Sequence, residues 1–129
     1  MTDITGITPH AREVELTHPV TEDGIGMYFT LLPTSSDEVK KAEREYLNAR
    51  LAKRKNQITA ESLEAAKIKQ IMAAVTDWRF EGDANIGGEK PEFSKRALKE
   101  LITSHDWIKN FLDRELGDEP AFFTASGNS

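Results

Sequence analysis

The sequence predicts a mainly α protein with a small N-terminal β-hairpin, an α+β domain of about four helices packed around Trp78 and Trp107. Three observations predict it. Residues 13–32 hold two short runs with the alternation of half-buried strands, E-V-E-L-T and I-G-M-Y-F-T-L-L. Beyond Pro33 the apolar residues recur at helical spacing, and capping residues precede several of these stretches. Five of the ten aromatic residues fall between Thr76 and Leu112. Burying one such ring removes about 150–250 Å² from water, roughly 4–6 kcal/mol as an upper bound, so the core is expected to centre there.

In chain order, residues 1–12 read as a flexible arm, residues 13–117 as one globular domain and residues 118–129 as a disordered tail. In the hairpin, residues 13–32, Val14 and Leu16 face inward; in the second run Met27, Phe29 and Leu31 lie on one face and Tyr28 and Leu32 on the other. A two-stranded hairpin is marginal in water, so it must pack on the helices or gain a third strand from a partner. The first helix is expected over 36–55, with Ser35 as N-cap and Glu38 closing a capping box. Its apolar stripe, from Val39 through Ala42 and Tyr46 to Ala49, is thin. The second helix is expected over 60–78, with Leu63, Ala66, Ile71, Ala74, Val75 and Trp78 on its inner face. The two pair as an αα-hairpin.

A polar loop from Gly82 to Pro91 follows. Ser94 caps a third helix, 95–103, where Phe93 staples onto Leu98 and Leu98, Leu101 and Ile102 face the core. Thr103 or Ser104 caps a fourth, 105–116, with Trp107, Ile108, Phe111 and Leu112 inside and Gly117 as its stop.

Composition bounds the function. With 129 residues the chain has room for one domain, and with no Cys it has neither a disulfide frame nor a thiolate metal site. A net charge of −5 opposes binding to phosphate backbones. No apolar run is long enough to span a membrane, and the N-terminus lacks the apolar stretch of a signal peptide. The three histidines are far apart, without metal-ligand spacing, and read as surface or cap residues. No nucleophile motif or phosphate loop is present, and no carboxylate pair is placed for acid–base work. The expectation is a protein that is not an enzyme and has no cofactor, metal, nucleic-acid or membrane role.

Two features remain as candidates for binding a partner. Arg50, Lys53, Arg54 and Lys55 crowd the end of the first helix, where they suit its negative pole or an acidic partner surface. Beside them Tyr46, Leu47 and Leu51 offer an apolar strip. Phe122 and Phe123, in a polar tail, read either as a docking motif or as a fold-back onto the domain.

The order of features resembles the tail assembly chaperones of long-tailed, lambda-like bacteriophages. VELTHPVTEDGIGMYFTLLPTSSDEV is similar to their opening β segment and its Pro-Thr step into a helix. TDWRFEGDANIGGEKPEFSKRALKELITSHDWIKNFL is similar to their second hallmark: a Trp ending a helix, a Gly-containing turn, then a Pro-Phe-Ser step into a helix with a Leu pair. Trp78, Gly82, Pro91, Phe93, Ser94, Leu98 and Leu101 occupy those places. The loop Ala84 to Gly88 is longer and richer in glycine than that pattern, and Lys40 to Gln70 matches none of its motifs. The resemblance implies a non-enzymatic protein of the host cytoplasm that coats the tape measure protein while the tail tube polymerises and is absent from the mature virion. It implies contact with the tail tube protein through a frameshift-extended form. Tyr46, Leu47, Leu51, Arg50, Arg54, Phe122 and Phe123 are the expected partner contacts. Self-association through a spare strand edge at Ile25 to Leu32 is a further expectation. The alternative is a small prophage regulatory or DNA-associated helical protein.

Overall fold

The computed structural model describes residues 3–52 and 60–124, with the backbone alone for 49–52 and 124. Strands β1 (Arg12–Thr17) and β2 (Gly24–Leu31) form the expected hairpin. They are followed by helices α1 (Asp37–Ala52) and α2 (Ala60–Ala74), strand β3 (Val75–Phe80), and helices α3 (Lys95–Ser104), α4 (Asp106–Leu116) and α5 (Glu119–Thr124). The fold is α+β, with one antiparallel sheet in the order β1-β2-β3. The hairpin therefore finds its third strand within its own chain. Both sides of β2 are paired, so Ile25 to Leu32 is not a spare edge; β1 and β3 are the outer strands.

The second helix was expected to run through Trp78, but it ends at Ala74 and the chain passes straight into β3. The reason is a bulge. Val75 pairs with Leu31 and Asp77 with Thr30, which leaves Thr76 as an extra residue. Val75 and Trp78 consequently both point into the core although they are three apart, a spacing that imitates one face of a helix. Trp78 is buried and central. Its ring meets Phe29 at 6.2 Å, Phe80 at 6.3 Å and Phe93 at 5.3 Å, all edge to face, and its indole N–H donates to Pro91 O at 2.9 Å. Each such ring pair adds roughly 0.5–1.5 kcal/mol beyond area burial.

The sheet has one inward face, made of Val14, Leu16, Met27, Phe29, Leu31, Val75 and Trp78. Helices α2, α3 and α4 cover it with Ile71, Leu98, Leu101, Ile102, Ile108, Phe111, Leu112 and Leu116. The other face is polar. Arg79 lies over the Tyr28 ring at 4.0 Å and makes a two-point ion pair with Glu13 at 2.7 and 2.8 Å. That guanidinium holds the Glu13 carboxyl below the usual glutamate range. Gly26 sits where β2 bulges, at φ +97°, and a Cβ there would stand 2.8 Å from Glu81 O; only glycine fits both demands.

Several local expectations need correction. Ser36, not Ser35, caps α1, its hydroxyl accepting from Val39 N–H at 3.4 Å. His105, rather than Thr103 or Ser104, precedes α4, because the Thr103 hydroxyl turns back to donate to Lys99 O at 2.7 Å. Gly117 ends α4 in a right-handed conformation at φ −76°, so glycine's left-handed freedom is not used. Trp107 keeps 36% of its surface exposed and Leu63 keeps 59%, so neither is core. The helices pack around Trp78 alone.

The described residues 3–12 and 118–124 hold more structure than expected. Residues 4–6 form a 3-10 turn capped by Asp3, and α5 lies within the supposed tail. Phe122 is fully buried in the main core cluster. Its carbonyl accepts from His10 N–H at 2.9 Å, and the Arg12 guanidinium sits 4.9 Å over its ring. Arg12 also donates to Glu115 O at 3.1 Å and to Glu115 Oε1 at 2.7 Å. One arginine thereby ties β1, the end of α4 and α5 together.

Candidate partner-binding groove

Helix α1 packs chiefly on α2, and α2 in turn packs on α3 and α4. The α1–α2 pair is joined near one end by the Tyr46 hydroxyl, which donates to Ser62 O, and further along by Gln70 against Glu43 at 3.5 Å. Two helices held this way leave a furrow between them. Its walls include the Tyr46 ring, the Leu47 side chain and the stems of Lys40 and Lys69.

The furrow does not stop at the helix pair. Lys40, Glu43 and Gln70 are shared with a second depression that reaches Asp113 and Leu116 of α4. Thr34, Ser35 and Glu119 are shared in turn with a third, walled by Pro9, Pro33, Phe122 and Phe123. The three lie side by side with shared rim residues and form an interrupted groove from α1 to α5. Two large apolar side chains stand exposed along it, Leu47 at 53% and Phe123 at 43%.

Of the residues singled out in the sequence, the fold brings Tyr46, Leu47, Phe122 and Phe123 to this groove, although 75 positions separate Leu47 from Phe122. Their roles differ. Tyr46 is half-buried and spends its hydroxyl on α2, and Phe122 is a core residue; Leu47 and Phe123 are the exposed apolar contacts. Arg54, and the side chains of Arg50 and Leu51, lie outside the described residues, as do Lys53 and Lys55.

The charges of the groove are sorted. Arg44 and Lys69 line the Leu47 end, and Lys40 with Glu43 stands between that end and the middle stretch. Asp113 and Glu119 stand toward the Phe123 end, with Asp113 shared with Lys67 at 3.8 Å.

Sequence reasoning missed two lysines. Lys109 is buried on α4, where its ammonium is held by Glu64 of α2 and by Asp106 at 3.3 Å. Its position between Ile108 and Phe111 is the one available sign, because a helix residue with buried neighbours on both sides is itself at the edge of the buried face. Lys95 donates to Val75 O at 2.7 Å and to Met72 O, closing the open carbonyl end of α2. Burial holds its pKa below the usual lysine range.

His18 accepts from Val20 N–H through Nδ1 at 3.1 Å within the hairpin turn, a local cap. Among the described residues no three His, Asp or Glu side chains group as metal ligands would, and no helix is long and apolar enough to cross a membrane. Comparison with protein-family models, curated proteins and solved structures gives no match.

Proposed function

We propose that this protein binds an apolar helical segment of another protein and performs no chemistry, acting as a tail assembly chaperone for the tape measure protein of a long-tailed phage. The observation that carries the reading is the interrupted groove, with Leu47 and Phe123 exposed along it. A long, largely helical client has apolar stripes that aggregate when uncovered, and a groove with apolar contacts and a charged rim is the surface that sheathes one. In this reading the protein works in the host cytoplasm, leaves before the virion is complete, and meets the tail tube protein through a frameshift-extended form. The groove supports the reading more than the second sequence hallmark does, since Trp78 stands in a strand where the resemblance implies the end of a helix.

The test is co-expression with the tape measure protein encoded in the same genome. Wild-type protein should co-purify with it and keep it soluble. Leu47→Asp with Phe123→Asp should lose capture while the melting temperature stays within a few degrees, as expected of exposed positions. Full capture by that folded double variant overturns the reading. Binding to duplex DNA that falls steeply with salt, without capture of the client, favours a DNA-associated regulatory protein instead.

A further inference from the structure

The charge order along the groove says more about the occupant than its apolar contacts do. The chain carries a net charge of −5, yet Arg44 and Lys69 line the Leu47 end, and Lys40 and Glu43 are shared between that end and the middle of the groove. Lys40 and Arg44 are exposed and one helical turn apart, so both ammonium and guanidinium reach the same stretch of a docked chain. Toward Phe123 the sign changes, with Glu119 in the first turn of α5 and Asp113 beside Leu116. An occupant of a single charge sign would be repelled at one end.

We propose that the groove takes an amphipathic helix whose polar residues are sorted: Asp or Glu beside the apolar residue seated at Leu47, and Lys or Arg beside the one seated at Phe123. This rests on the docking role given above and adds the chemistry of the partner. Like-charge contacts across an interface exclude wrong partners and opposite charges fix the register, so the sorting selects one segment of a long client and sets its direction in the groove.

The probe is a synthetic Leu/Ala amphipathic helix of about 18 residues, roughly 27 Å long. Three versions share one apolar face and differ on the polar face: Glu at one end with Lys at the other, Lys throughout, and Glu throughout. Fluorescence anisotropy against the full chain should give the sorted peptide the tightest binding, by about fivefold or more, with the difference shrinking as salt rises. Lys40→Glu with Arg44→Glu leaves Lys69 as the one base among the described residues lining the Leu47 end, reverses the net charge there and should move the preference to the all-Lys peptide. Lys40→Gln with Arg44→Gln should weaken the preference for the sorted peptide without reversing it. Equal binding of all three peptides, or an unchanged ranking in the charge-reversed protein, overturns the charge rule and leaves the docking role standing. Binding of none of them overturns both.

Discussion

Helices α1 and α4 sit in the same protein under opposite rules. Helix α4 has 11 residues and buries five of them, Ile108, Lys109, Phe111, Leu112 and Leu116. Helix α1 has 16 residues, and among its described side chains only Val39 is buried. Most of the stability of a helix in a folded protein comes from packing an apolar face, and α4 has such a face where α1 does not. Helix α1 is held from one side, by α2, and the surface it leaves open is the wall of the groove. The difference teaches that the core is built by the sheet with α2, α3 and α4, to which α1 adds Val39 and α5 adds Phe122, while the other described side chains of α1 stay outside it.

The strongest test of that contrast sets a core residue against a groove residue. Phe29→Ala removes a fully buried ring from beside Trp78 and should cost about 4 kcal/mol in urea unfolding. Leu47→Ala should stay within about 0.5 kcal/mol, as an exposed substitution does. Equal losses would mean that α1 is part of the core after all. A smaller but still large effect should come from the chain end: Phe122→Ala is expected to cost about 3 kcal/mol, because the ring is fully buried under Arg12. A loss below about 1 kcal/mol would place α5 with α1, on the surface side of the contrast.

The smallest effect belongs to the polar face of the sheet. Arg79 favours the ionised form of Glu13 in the fold, so the pair stabilises the protein above the ordinary glutamate value of about 4.3. That contribution is lost as pH falls through the lower, folded value. Both side chains are largely exposed, so solvent and salt reduce the gain. Glu13→Gln should lower stability slightly at neutral pH and flatten the acid limb of a stability–pH curve, the difference from wild type vanishing only once pH has fallen below the folded-state value of Glu13. A change confined to neutral pH would separate Glu13 from Arg79.

The parts of the fold that could be read from sequence are those governed by local pattern. Alternation in β1 and β2 gives the hairpin, the inward Val14 and Leu16 and the grouping of Met27, Phe29 and Leu31 on one face, and Leu98, Leu101, Ile102, Ile108, Phe111 and Leu112 face inward as their spacing implies. Ser94 caps α3 through a bond to Ala97 N–H at 3.0 Å. What failed depends on pairing between distant segments. The bulge at Thr76 exists only because β2 lies alongside, so Val75 and Trp78 look helical in isolation. The burial of Phe122 requires Arg12 and the end of α4 to arrive at the same place. The Lys109–Glu64 pair requires α2 against α4. The groove was legible only as separate residues. Tyr46 and Leu47 at one end, and Phe122 and Phe123 at the other, become one surface when Thr34 and Ser35, at the entry to α1, come to rest beside α5.

One junction in the chain ties these layers together. Ala74 is the last residue of α2 and Val75 the first of β3; Ala74 O accepts from Leu32 N–H at 2.8 Å, while Lys95 fastens the carbonyls on either side of it. No slack separates rod from ribbon there. A tilt of α2 therefore strains the Leu32–Ala74 bond and the first pairing of β3 directly, with no loop between them to absorb it.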